Sequence, residues 1–460
     1  MIPKFRGWAA LCILMLLASC GGGSSTTTTV TGSGLNSLGL SPAVSTAFVQ
    51  TDNNMRVTVE DGPHGFQLSA NANILYATVS VCSPLDGQCV SIDHVQVDTG
   101  SVGLRVLASK VKGLNLPPLE VVSGAAPLHA RECYPFVIGG MWGVNVNAVV
   151  GLGRQQTTRM AIQLVEDDTN PASAMQPTSD CIAAANGNVL NSAASLGSNG
   201  ILGIGSTNID CGQTCVAGDY TGTYVQYYAC PPGALNATAC STTTPVAANF
   251  QVSNPVFRLP LDNNGIVLVM PAVTNPGAAT AAGELIFGIN TSASGNNQLP
   301  ASLRKVYLGL DSTNNAAYLN ITTKYNGTIY QSSYLDTGTN GLFFDSAIPA
   351  CQGNAWYCPT SNMSVSASLW DGGVSEVSAS PITLPFQIGN AEALFSTNNT
   401  AFSNAAGTAP KGATTFAWGM PFFYGKKVFM SIWDITVPLD NPLVYPNSYP
   451  AWYAWTAALL

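Results

Sequence analysis

The tetrapeptide Asp98-Thr99-Gly100-Ser101 returns later in the chain as Asp336-Thr337-Gly338-Thr339. Both copies follow an apolar, strand-like run and lead into x-Gly-Leu. A single Asp-Thr-Gly is expected by chance about 0.1 to 0.2 times in a chain this long and this rich in Thr and Gly. Two copies in matching settings indicate an internal duplication, and therefore two similar halves.

The chemistry of such a pair follows from charge. One carboxylate cannot both take a proton from water and protonate a leaving amide nitrogen, whereas two carboxyls sharing one proton can. Like charges held about 3 Å apart cannot both ionise, so one of Asp98 and Asp336 is expected to stay protonated, and the pair titrates as a unit. Gly100 and Gly338 permit a tight turn and close approach, while the Thr99 and Thr337 hydroxyls can bond across to the opposite loop. Ser101 and Thr339 are placed to donate to the outer carboxylate oxygens.

The 460 residues suit two domains. Only 9% are charged, the formal net charge is −8, and no basic run occurs, which argues against a nucleic-acid partner. The three histidines, His64, His94 and His129, have no metal-ligand spacing, so neither a metal site nor a Ser-His-Asp mechanism is expected.

The first residues read as an export address. Lys4 and Arg6 precede an apolar run from Trp8 to Leu17, and Leu17-Ala18-Ser19-Cys20 resembles a bacterial lipobox. Residues 1–20 are then a lipoprotein signal peptide, with Cys20 as the lipid attachment site. Gly21 after the cysteine resembles lipoproteins sorted to the outer membrane, on its periplasmic or surface face. Residues 21–50 read as a flexible Gly/Ser/Thr tether; about 25 such residues reach roughly 25 to 30 Å.

Setting aside Cys12 and Cys20 leaves ten cysteines, an even number suited to an oxidising compartment. Neighbour order suggests Cys82 with Cys89, Cys211 with Cys215, Cys230 with Cys240, and Cys351 with Cys358, leaving Cys133 for Cys181. Ten cysteines allow many other connectivities.

From Arg56 onward, short alternating or apolar runs between turn residues predict an all-β fold. Gly200-Ile201-Leu202-Gly203 follows the first acidic loop, and Phe416-Ala417-Trp418-Gly419 follows the second. The order of loop, long β stretch and apolar-apolar-Gly thus occurs twice.

On these motifs, residues 60 to 435 resemble a pepsin-like aspartic peptidase. The resemblance implies a bilobal, acid-protease double barrel with a central cleft, one Asp-Thr-Gly loop per lobe, and an apolar-apolar-Gly strand crossing behind each loop. The expected lobes are residues 51–250 and 251–437. Tyr134 to Gly143 resembles the hairpin flap that closes over substrate, with Tyr134 and Trp142 as its substrate-facing residues. The resemblance also implies that no metal or organic cofactor is needed, that the active site forms within a monomer, and that the substrate is an extended peptide or unfolded protein. The whole chain further resembles a proteobacterial family of predicted lipoproteins with no assigned function.

The chain departs from the pepsin-like pattern at three places. Val102-Gly103-Leu104-Arg105 stands where those enzymes have Ser-x-Leu-Trp, so the tryptophan that supports the flap tyrosine is replaced by Arg105. Residues 206–250 carry four cysteines and Pro231-Pro232 where a helix is expected, and read as a disulfide-stapled insertion. No basic prosegment precedes the body. The aromatic and Pro-rich tail, residues 438–460, is expected to pack back onto the body in preference to touching lipid headgroups.

Two functions fit. The first is an aspartic endopeptidase using a water activated between Asp98 and Asp336. The second, an alternative of another class, is a non-catalytic peptide- or protein-binding lipoprotein that keeps the cleft.

Overall fold

The computed structural model describes residues 48–63, 72–123, 126–167, 175–218, 225–234, 237–241, 244–309, 320–372, 381–434 and 451–457. Cys20, most of the tether, His64 and residues 435–450 lie outside these.

The architecture is all-β and bilobal, as the sequence predicts. Among the described residues a sixteen-stranded sheet and a seven-stranded sheet account for the strands, and no helix is longer than six residues. The duplication is visible in the strand order. In the first half, the strand Cys89–Asp98 ends on the acidic loop and Val102–Leu107 leaves it. These two do not pair. Gly200–Ile204 lies between them, parallel to the first and antiparallel to the second. In the second half, Ala417–Trp418 is inserted in the same way between Thr328–Leu335 and Leu342–Phe344. The correspondence goes one strand further: Met160–Val165 runs parallel to Val102–Leu107, and Ala406–Thr408 parallel to Leu342–Phe344.

The apolar-apolar-Gly signature has a steric cause. Ile201, Leu202, Ala417 and Trp418 are buried, and burying a large aliphatic or aromatic side chain stabilises by about 1.5–3 kcal/mol. The glycine that follows passes directly behind the acidic loop. A Cβ on Gly203 would lie 2.7 Å from the Val102 carbonyl carbon, and one on Gly419 would overlap the carbonyl oxygens of Gly341 and Thr339. No larger residue fits either place.

The two halves pack differently around this shared frame. Val79, Val95, Leu104, Ile162 and Leu202 fill the first half with aliphatic side chains, whereas aromatic rings fill the second. There Phe416 stacks between Phe344 and Trp418, each pair of centroids 4.3 Å apart. The buried indole of Trp418 donates to Thr323 Oγ1 at 3.0 Å, so its polar edge is satisfied.

Strands from both ends of the chain join the halves. Asn54–Val59 pairs with Leu75–Cys82 of the first half and with Ala281–Phe287 of the second. The sheet continues through Gly265–Met270 and Lys426–Ser431 to Trp452–Ala457. The end of the aromatic tail is therefore a strand of the body, with Trp452 and Tyr453 buried. Lys305 Nζ lies 4.3 Å above the Trp452 ring.

Among the described residues five disulfides are formed, Cys82–Cys89, Cys133–Cys181, Cys211–Cys215, Cys230–Cys240 and Cys351–Cys358, the pairs that neighbour order suggests. Four close short loops. Cys133–Cys181 spans 48 residues and ties a long hairpin strand to the helical turn Ser179–Ala184. Loop-closure entropy makes its loss, in a Cys133→Ser/Cys181→Ser variant, about 2 kcal/mol more destabilising than loss of Cys211–Cys215. Paired thermal unfolding of the two variants checks the order.

Candidate active site

Each acidic loop organises its own carboxylate. Gly100 N–H donates to Asp98 Oδ1 at 2.8 Å, Ser101 N–H to the same oxygen at 3.2 Å, and Ser101 Oγ to Oδ2 at 2.6 Å. The second loop repeats the pattern: Gly338 N–H donates to Asp336 Oδ1 at 2.7 Å and Thr339 Oγ1 to Oδ2 at 2.6 Å. Ser101 and Thr339 thus donate where the sequence placed them. Charge-assisted bonds of this kind hold a carboxylate in one orientation.

The threonines lock the loops together. Thr99 N–H donates to Thr337 Oγ1 at 3.1 Å, and Thr337 N–H donates to Thr99 Oγ1 at 3.0 Å. Thr337 Oγ1 in turn donates to the Val97 carbonyl at 2.7 Å, and Thr99 Oγ1 donates over a longer 3.5 Å to the Leu335 carbonyl. Both threonines are buried, so the bonds are shielded from water. Gln96 Nε2 adds a further tie to the Gly338 carbonyl at 3.2 Å.

This lock brings the carboxyls face to face. A Cβ on Gly100 would lie 2.6 Å from Asp336 Cγ, and one on Gly338 would lie 2.6 Å from Asp98 Oδ1. Each glycine is therefore the floor for the opposite carboxylate. Asp98 is 6% exposed and Asp336 9%. Burial, and then the negative charge of Asp98, hold the Asp336 carboxyl well above the usual carboxylate range; a hydrogen bond with Asp98 acts in the same direction. The arrangement can hold one proton between two acids.

Two phenols feel the charge of the pair. Burial, and then Asp336, push Tyr334 above its ordinary value, with a smaller contribution from Asp98. Tyr134 is also raised, first by burial, against the opposing charge of Arg105, and then by Asp210 and Asp98. Tyr134 sits on the hairpin formed by Ala126–Phe136 and Gly139–Leu152, paired with Met141. The hairpin tip is apolar and open to solvent: Val137 is 89% exposed and Ile138 64%.

Trp142 corrects an expectation. It does not face substrate: it is 1% exposed, edge-on to Tyr228, and packed beside the Cys133–Cys181 disulfide. Its strand position explains this, because neighbouring residues point to opposite faces and Met141 faces another cluster, with Leu107 and Ile201. Trp142 anchors the base of the hairpin.

Sequence reasoning also missed Tyr334, which follows no motif, and Asn73, whose role depends on distant partners. Asn73 Nδ2 donates to the Asn340 and Phe402 carbonyls, both at 2.9 Å, and its Oδ1 accepts from Phe402 N–H and the Tyr424 hydroxyl. It thereby pins the residue that follows the second acidic loop. Cys351, Cys358 and Glu392 converge closely, but both sulfurs are in a disulfide, so the group offers no thiolate for a metal.

A family model described as "Protein of unknown function (DUF3443)" matches residues 49–445. No curated protein matches the chain. The crystal structure of an aspartic proteinase from Irpex lacteus is similar over 88% of this chain and 97% of its own, with 16% sequence identity and a TM-score of 0.48.

Proposed function

Because the chain belongs to the family described as "Protein of unknown function (DUF3443)", its activity is read from the site, and we propose that it is an aspartic endopeptidase. The observation that carries this reading is the buried, facing pair of Asp98 and Asp336, whose Oδ1 atoms lie 2.6 and 3.0 Å from the point a Cβ on Gly338 would occupy, each carboxylate held by corresponding donors from its own loop. A cleft used only for binding has no need of two facing acids that must share a proton.

In the proposed reaction a water between the carboxyls loses a proton to the ionised one and attacks the peptide carbonyl carbon. The protonated carboxyl polarises the carbonyl oxygen. The resulting diol is held by both acids, and the proton then passes to the leaving nitrogen as the C–N bond breaks. Ser101 and Thr339 keep the outer oxygens oriented, which leaves the facing oxygens for the chemistry. Substrate lies extended in the cleft, bonded through its backbone as an added strand. The chain works as a monomer, with its lobes meeting at residues 250–251. The reading includes export through a signal at residues 1–20, lipid attachment at Cys20 and activity at the outer membrane. The lipobox-like residues support that location.

The test is inhibition by a peptide carrying a statine hydroxyl in place of the scissile bond, across pH 3 to 7. The reading expects competitive inhibition of cleavage and a bell-shaped rate profile from the shared proton. Cleavage that ignores the statine peptide and responds instead to a serine-directed reagent would reject it.

A further inference from the structure

Arg105 is fully buried and sits at the meeting point of three elements. Its Nη1 donates at 2.6 Å to the carbonyl of Val102, the first residue after the Asp98 loop. Its Nη2 donates to Glu132 Oε1 on the hairpin at 2.5 Å and to Asp210 Oδ2 at 2.8 Å. Asp210 leads into the Cys211–Cys215 staple and accepts from the Tyr227 hydroxyl, which itself accepts from Val252 N–H at 2.8 Å. The flat face of the guanidinium lies under Tyr134, with Cζ 3.7 Å from the ring centroid.

We propose that Arg105 is a positioning residue that fixes Tyr134 relative to the first acidic loop: its guanidinium is a rigid platform that Glu132 and Asp210 hold level between that loop and the hairpin. The inference rests on the peptidase reading for its effect on substrate, but not for its effect on the hairpin.

Three arguments support it. A buried cation with two carboxyls is a poor way to gain stability, because desolvation offsets the attraction and an apolar residue of similar volume would do as well. A planar guanidinium can bond two carboxylates along its edge and still offer its face to a ring, which an ammonium cannot. The partners also come from separate parts of the chain, so the cluster sets their relative positions. Burial and the neighbouring Glu132 raise the Asp210 carboxyl well above its usual range, which lets the cluster balance its charge with one retained proton. The insertion that carries Asp210 thereby acquires a task. Its strand Gln226–Cys230 extends the sheet along the outer side of Ala126–Phe136, and Asp210 levels the platform.

The test is hydrogen exchange on the full chain, with peptide kinetics beside it. The Arg105→Met/Glu132→Gln pair removes a cation and a carboxylate together. Arg105→Lys keeps the cation but loses the planar face, and serves if the pair of changes does not fold. Either is expected to speed exchange of the amides at residues 134–141 by about tenfold or more, while residues 321–335 of the other half stay unchanged. Tyr134→Ala is expected to do the same, and combining it with an Arg105 change is expected to add nothing, since both act through one contact. In cleavage, the Arg105 variants are expected to raise KM about tenfold with kcat altered less than threefold. Unchanged hairpin exchange in Arg105→Lys, or effects of Arg105 and Tyr134 that simply add, would overturn the proposal. If the wild-type chain cleaves nothing, the peptidase reading fails, and the exchange data still decide the role of Arg105.

Discussion

Asp336→Asn is expected to lower kcat/KM for peptide cleavage by about 10³-fold or more, and Asp98→Asn to do the same, since each removes a group that serves as acid or base in every turnover. The two losses are not expected to multiply, because either change already destroys the shared proton. The double variant should be about as inactive as each single one. Asp336→Asn carries a second expectation, on stability. The native state holds the Asp336 proton more tightly than the unfolded chain does, because burial and Asp98 raise its pKa. As pH rises from the ordinary carboxylate range through the raised native value, the unfolded state releases that proton first and wild-type stability falls. An asparagine has no proton to lose. The variant should therefore unfold at a higher temperature than wild type at pH 7, with the difference shrinking towards pH 3 to 4. An inactive protein that is the more stable of the two marks a site where function is maintained against stability. Calorimetry of the two proteins at both pH values checks it.

The second large effect is expected from Gly338→Ala and Gly100→Ala. The added methyl of the first would press on Asp98 Oδ1 and Cγ, at 2.6 and 2.7 Å, and that of the second on Asp336 Cγ at 2.6 Å. A carboxylate is the free end of a side chain and can move aside, so folding is expected to survive. Its position cannot survive, because the donors from Gly100, Ser101, Gly338 and Thr339 hold both carboxylates at the point the methyl would enter. A misplacement of about 1 Å costs on the order of 10²-fold in rate. Both variants should thus lose activity by about that factor while melting within a few degrees of wild type. Steady-state kinetics with a melting curve on the same sample separates this from simple unfolding.

Features of short range were legible in the sequence. The duplicated loops and the apolar-apolar-Gly run after each of them are local motifs, and the resemblance they carry implied a strand crossing behind each loop, the place that Gly200–Ile204 and Ala417–Trp418 take. Disulfides between neighbours were readable for the same reason. What escaped depends on contacts between distant residues. Arg105 could be seen as a departure, but not as the partner of Glu132, Asp210 and Tyr134, because nothing local announces those meetings. Trp142 was misplaced because the hairpin is packed on both faces at this point: Trp142 lies in one buried cluster and its neighbour Met141 in another, which only the long-range packing reveals. Tyr334 is the exception: it stands only two residues before Asp336 on the strand that leads into the second acidic loop, but no motif marks a tyrosine there.

The most direct measurement is mass spectrometry of a peptide mixture incubated with the purified chain in ¹⁸O-labelled water between pH 3 and 7, with the Asp336→Asn protein as the parallel sample. Water attack between the two carboxyls predicts new internal termini with the wild-type chain alone, each new carboxylate carrying label from solvent. No wild-type-dependent cleavage at any pH in that range, or equal cleavage by Asp336→Asn, would contradict it and leave the cleft as a binding surface.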